Sequence, residues 1–162
     1  MTEPLQYALE TEAFIASCHV DGTAGSIWER VADGSGSSVH NLYHGSAGVV
    51  LFYVELHRAT GEQQHLDVAV AGGNELVATL ADGADSIAMY SGAPGYIFVL
   101  NELAKVSGNA AFRDTAARLV RDMADQSDPM GSGIGWIEPI PFSDITGITG
   151  EREALDLSIG AA

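Results

Sequence analysis

Residues 42–69 read LYHGSAGVVLFYVELHRATGEQQHLDVA, and residues 89–116 read MYSGAPGYIFVLNELAKVSGNAAFRDTA. The two stretches align without a gap at an offset of 47 residues. Tyr43 falls on Tyr90, Gly45 on Gly92, Gly48 on Gly95, Glu55 on Glu102, Gly61 on Gly108 and Asp67 on Asp114. Self-similarity at such a period marks an array of like units. Each unit predicts two helices. The first carries Val49, Val50, Leu51, Phe52, Tyr53, Val54 and Leu56 on nearly every side, which predicts burial all round. Gly61 is placed to end it. The second shows Leu66, Ala69, Val70, Gly73, Val77 and Leu80 at helical spacing on one face. His65, Asp67, Asn74 and Glu75 lie elsewhere on it, so it predicts a half-exposed helix.

The rest of the chain extends this pattern. The spacing predicts helices over residues 4–18, 46–59, 63–80, 94–107 and 109–126. Thr2 is placed to cap the first of them, and Pro4 suits its first turn. Two loops that follow outer-type helices echo each other, GSIWE at Gly25–Glu29 and GIGWIEP at Gly133–Pro139, and little in either reads as strand. DLSIGAA at Asp156–Ala162 begins a third copy of the motif and stops one residue short of its second glycine. The expected divisions are residues 1–42 (outer helix and loop), 43–89 (one repeat), 90–155 (a repeat and a long loop) and 156–162 (the start of the next). Buried helices alternating with amphipathic ones imply an all-α fold with an inner and an outer layer. Such repeats bury their inner faces only against neighbours, so the chain is expected to be the N-terminal part of a longer protein.

Composition narrows the function. The 162 residues hold 7 Lys and Arg against 22 Asp and Glu, a net charge of −15. So acidic a surface argues against nucleic acid and anionic membrane as partners. The acidic N-terminus is no signal peptide, and the longest bulky apolar run, Val49–Val54, is too short to span a bilayer. Cys18 is the single cysteine, so an internal disulfide and a Cys-rich zinc cluster are both ruled out, and a cytoplasmic setting fits.

The Gly-small-small-Gly motif at Gly45–Gly48 and Gly92–Gly95 has two readings. Small residues at a helix start let neighbouring helices approach. Alternatively, helix N-termini with open N–H groups hold an anion or substrate. With these motifs the two stretches resemble consecutive repeats of the lanthionine synthetase C-like family, and DLSIGAA resembles the start of the next. The resemblance covers roughly Leu42 to Ala162. It implies an α/α toroid of seven helical hairpins, incomplete in this chain. It also implies a cyclase that adds cysteine thiols to dehydrated Ser or Thr, closing thioether rings in a peptide. Where the family holds zinc, two Cys and one His in later repeats bind it. Nothing in this chain matches that set, so no metal ligand is expected here and zinc is left to the full-length protein.

The candidate site residues are few. Asp156 stands four residues before Gly160. By resemblance to the family's DxxxG pattern it lies in the active site and moves protons during addition; the plain alternative is a helix cap. His44 precedes its repeat's first glycine and either faces the ring's centre or bonds a neighbouring loop. His19, His40, His57 and His65 lack paired metal spacing and read as surface or loop residues. Trp28 and Trp136 either line a groove for a peptide or sugar or plug the end of the toroid. Asp67, Asp114, Arg118 and Arg121 read as solvated or helix-end charges.

Two other functions fit the residues: a carbohydrate-active α/α toroid (hydrolase, lyase or epimerase) with paired carboxylates, and a non-catalytic helical repeat. The fragment alone is expected to be inactive. Inner-helix sides bearing Val49, Phe52, Tyr96 and Val99 are expected to be exposed. They would draw a second copy or a companion chain.

Overall fold

A computed structural model describes residues 3–28, 39–84, 86–139 and 151–153. Helix α1 spans Glu3–Ser17, followed by the strands β1 (His19–Asp21) and β2 (Ser26–Trp28). Two helical hairpins come next, α2 (Ser46–Thr60) with α3 (Gln63–Thr79), and α4 (Ala93–Ser107) with α5 (Ala110–Asp125). The short strands β3 (Asp128–Met130), β4 (Gly133–Gly135), β5 (Ile137–Pro139) and β6 (Glu151–Glu153) complete the described chain. All five expected helices are present, with boundaries within a residue of the expected ones. Thr2 lies outside the described residues.

Each hairpin turns at a glycine. Gly61 closes α2 at φ 74°, its N–H donating to the His57 carbonyl at 2.8 Å. Gly108 closes α4 at φ 69° in the same way, bonding Ala104 at 3.0 Å. A Cβ in this left-handed conformation costs about 1–2 kcal/mol. The two-residue links that follow force α3 and α5 to run back along their partners. Asn109 then caps α5, accepting the Ala111 N–H at 3.0 Å.

Packing puts α2 between α3 and α4, while α4 also meets α3 and α5. Two contacts fix the relative direction of α2 and α4. Near their starts, the Tyr43 N–H donates to the Tyr90 carbonyl at 3.0 Å. Near their ends, Arg58 pairs with Glu102 at 2.6 Å. The two inner helices therefore run side by side in the same direction. The core lies between the layers: Val50, Tyr53, Val54 and Leu56 of α2, Leu76 of α3, Val99, Leu100 and Leu103 of α4, and Phe112, Ala116 and Leu119 of α5 are buried. On α5 those three recur at helical spacing as one buried apolar stripe. No residue of α1 is fully buried, although Leu5, Leu9 and Ile15 pack against the core.

Short loop pairings, and no larger sheet, are present among the described residues, as expected: β1 pairs antiparallel with β2, β3 with β4, and β5 with β6, each a two-stranded ribbon of three residues a side. Three expectations need correction. The inner helix α2 is not buried all round, because Val49, Leu51 and Phe52 are half-buried and Glu55 is exposed. Val99 is fully buried, and its neighbour Phe98 is the residue left 42% exposed. Finally, His65 and Glu75 are not on an exposed face. They are 3% and 6% exposed: His65 bonds the Thr60 hydroxyl across the turn at 2.9 Å, and Glu75 is held by the distant Thr23–Gly25 loop. Arg118, read as a solvated or helix-end charge, pairs with Asp122 at 2.7 Å and donates to the Leu80 carbonyl at the end of α3.

Candidate functional site

The repeated glycines sit where a preceding loop folds over a helix start. The N–H groups of Ser46 and Ala47 donate to the carbonyls of Val39 and His40 at 2.9 and 3.0 Å, and that of Gly48 donates to Gly45 at 3.0 Å. In α4, Ala93 donates to Ser86 at 2.7 Å and Gly95 to Gly92 at 3.2 Å, while Pro94 has no N–H. The first-turn donors of both helices are thus taken up by the chain itself. That removes the physical basis for an anion site there. The loop also explains the glycines. A Cβ on Gly45 would stand 2.6 Å from the Asn41 nitrogen, and one on Gly48 would stand 2.6 Å from the Leu42 carbonyl oxygen. On Gly92 it would collide with the Ser86 carbonyl, and on Gly95 with that of Met89. The motif is steric, but the close approach is mainly between loop and helix. Only Gly95 also meets a neighbouring repeat, through Leu42.

Beside the α2 start lies a cavity of about 440 Å³, lined by Phe14 of α1, by Cys18 just after it, by Trp28, and by Tyr43, His44 and Phe52. It brings together two of the sequence candidates, Trp28 and His44. The Trp28 ring is buried, stacks on Tyr53 at 6.1 Å and meets His19 edge-on. It also fills the space against Gly72, where a Cβ would touch it. Its indole N–H is buried without a hydrogen-bond partner. His44 is exposed; its backbone N–H donates to the Asn41 side chain at 3.1 Å, and its ring lies edge-on to Tyr43.

The hairpin carrying Trp28 is pinned by an acid. Glu75 on α3 accepts the N–H groups of Ala24 and Gly25 at 2.6 and 3.0 Å and the Thr23 hydroxyl at 3.1 Å. Burial alone would raise its pKa, but these donors outweigh burial and hold it below the usual carboxylate value. Tyr53 beneath the indole is pushed the other way. Burial first, then the Glu12 carboxylate that accepts its hydroxyl at 3.2 Å, keep the phenol protonated far above the usual range. Sequence reasoning missed Glu75, His65 and the Tyr53–Glu12 pair. One available signal was the Gly72–Gly73 pair inside α3, since glycine within a helical pattern marks a close approach.

Trp136 stands elsewhere. Its indole N–H donates to the Met123 carbonyl at 2.8 Å, and it lines a second cavity of about 600 Å³ with Ile97, Phe98, Val120 and Ile134. The two tryptophans therefore serve separate cavities. Asp156 lies outside the described residues.

A zinc that activates thiols needs a soft, closely grouped donor set. Among the described residues no three His, Cys, Asp or Glu side chains stand together to hold a metal. Cys18, the chain's single cysteine, packs against the core with the Ser17 hydroxyl at 4.0 Å from its sulfur. These described residues do not fit such a zinc. No described helix is long and apolar enough to cross a membrane.

Comparison with curated proteins and with solved structures gave no match. A family model, "lanthionine synthetase C-like protein", matches residues 38–150, which hold both helical hairpins and the loops that seat them. The ungapped repeat, the glycine-seated helix starts and this match over most of the chain agree, and the chain belongs to the lanthionine synthetase C-like family.

Proposed function

We propose that this chain forms the N-terminal repeats of a lanthionine synthetase C-like cyclase. In that reaction a cysteine thiol of a peptide adds to a dehydrated Ser or Thr of the same peptide. A carbon–sulfur bond forms at the β-carbon, and the proton lost from sulfur is balanced by one gained at the α-carbon. The support is the family match spanning two hairpins whose inner helices begin in the same glycine-seated way. On this reading the hairpins are consecutive members of an α/α toroid in the cytoplasm. Any zinc belongs to repeats beyond Ala162, and the chain by itself closes no rings.

Within that reading, Asp156 is the residue that moves protons, and His44 with Trp28 borders a cavity for a side chain of the peptide. Trp136 contributes a separate apolar surface. No observation among the described residues favours the sugar-enzyme alternative: neither of the two cavities described above has a carboxylate among its lining residues, and a third, between α1 and α2, has Glu55 alone.

The test is a mass count of free thiols. A dehydrated, cysteine-containing peptide is incubated with the complete protein, then alkylated. One alkyl group fewer per ring supports the proposal; a peptide that stays fully alkylated contradicts it. The Asp156→Asn variant assigns the proton role, because Asn caps a helix about as well as Asp. Ring closure should be lost with the melting temperature unchanged. Unchanged ring closure would remove Asp156 from the chemistry.

A further inference from the structure

Tyr43 and Tyr90 each stand three residues before an inner helix begins, at one position of the repeat. A single exposed aromatic needs no explanation, but here two are in contact. Tyr43 is 76% and Tyr90 40% exposed, their ring centres lie 6.2 Å apart, and the ring planes meet at 62°. His44, itself exposed, lies edge-on to Tyr43 at 5.6 Å. The rings make an open corner rather than a closed stack, so aromatic faces are left to solvent. The backbone fixes the corner. The Tyr43 N–H donates to the Tyr90 carbonyl at 3.0 Å, and the His44 N–H donates to the Asn41 side chain at 3.1 Å. Neither tyrosine belongs to the buried core, so burial does not account for an aromatic at this place in either repeat.

The charge around the corner selects its occupant. Residues 31–57 and 59–104, which carry the two tyrosines, hold no Lys or Arg. Arg58 and Lys105 lie in the last turns of α2 and α4 and pair there with Glu55 and Glu102. Each helix has 15 residues, so these cations stand about 20 Å from the corner. The chain as a whole carries −15, a field that concentrates cations and repels anions. A tyrosine face attracts a cation placed within about 6 Å of its centre. Helix starts oppose a cation, but the first N–H groups of α2 and α4 are already bonded to loop carbonyls, which weakens that effect.

We propose that the corner of Tyr43 and Tyr90, with His44 beside it, binds the positively charged side chain of an Arg or Lys in a peptide. That this peptide is the one whose rings the complete protein closes rests on the function proposed above; the binding itself does not. On that reading the corner selects substrates with a basic residue and fixes where that residue lies. A second copy of the chain is a poor occupant, because it brings −15 against −15.

Binding of two short peptides to the full 162-residue chain tests this. One carries a single arginine. The other carries citrulline in its place, nearly the same shape without the charge. Neither holds a cysteine or a dehydrated residue, so the outcome is independent of the thiol count. The arginine peptide should bind at least about fivefold more tightly. Tyr43→Leu with Tyr90→Leu should remove that preference, whereas Tyr43→Phe with Tyr90→Phe, which keeps both rings, should retain it. Equal affinity for the two peptides overturns the proposal. So does a preference that survives in the leucine variant, since the net charge of the chain then explains it. Should the leucine variant unfold, ring-proton NMR of the wild-type chain decides. The arginine peptide should shift the ring signals of Tyr43 and Tyr90 and leave those of Tyr7 and Tyr53 in place. The same shifts with the citrulline peptide overturn the proposal, as do shifts spread over all four rings. Movement of the Tyr43 and Tyr90 signals when the protein alone is concentrated also overturns it, because the corner is then a contact between copies.

Discussion

Gly92 and Gly61 show how one residue type does two jobs. Gly92 has ordinary extended backbone, with φ −132°, but no room, because a Cβ would collide with the Ser86 carbonyl. Gly61 has open space around it but φ 74°. Gly92→Ala should therefore cost about 1–3 kcal/mol by crowding a rigid backbone group, and Gly61→Ala about 1–2 kcal/mol through its conformation. Urea midpoints measure both. A Gly92→Ala protein as stable as wild type would show that the loop over the helix start is not where we place it. Glu75 makes the second prediction at this scale. Its folded pKa lies below the unfolded value of 4.5, so its stabilisation is present above that pH and is lost as the pH falls through the folded value. Glu75→Gln should lose about 1.5–3 kcal/mol near neutrality, the contribution of hydrogen bonds to a charged group. The difference between variant and wild type should shrink as acid is added. A difference that does not change with pH would mean the carboxylate's charge is irrelevant. The sequence showed the glycines because they recur. It hid Glu75, whose partners Thr23, Ala24 and Gly25 come from a loop some 50 residues away.

At the scale of elements, all five helices were legible because apolar spacing and terminal glycines are local signals. The ribbons were not. Three residues a side is too short to show alternation, and the β1–β2 hairpin is held by Glu75 and by Trp28 against Tyr53, long-range contacts that leave no local mark. Periodicity also could not decide which flank of α4 is covered. Val99 and Phe98 are adjacent apolar residues, and only the position of α2 buries the first and exposes the second. The Arg58–Glu102 bridge is the charged tie between α2 and α4. With Arg58 about one-third exposed and Glu102 less so, Arg58→Met should cost no more than about 1 kcal/mol. The cost should fall further in high salt, which screens the pair. A larger penalty that salt does not touch would point to packing of the Arg58 stem instead. Asn109→Ala should cost about 1 kcal/mol by uncapping α5, read as a lower melting temperature.

For the whole molecule, the account rests on the equivalence of the two hairpins. They share their turn glycines, their loop-seated starts and several buried pairs, among them Tyr53 with Leu100, Leu56 with Leu103 and Ala69 with Ala116, and the family match covers both. The candidate site was only partly legible at this scale. Trp28 and His44 were chosen separately from the sequence, and the fold brings them to one cavity. Trp136, chosen as the partner of Trp28, lines another because β4 and β5 carry it to the far side of α4. The most direct test of the equivalence is amide hydrogen exchange followed residue by residue by NMR. Opening free energies report how cooperatively each element is held. The account predicts the slowest amides in α2 and α4, in matched pairs such as Tyr53 with Leu100 and Leu56 with Leu103, with α1 exchanging faster. Slowest amides in α1 or the ribbons, or an α4 that opens far more readily than α2, would contradict it.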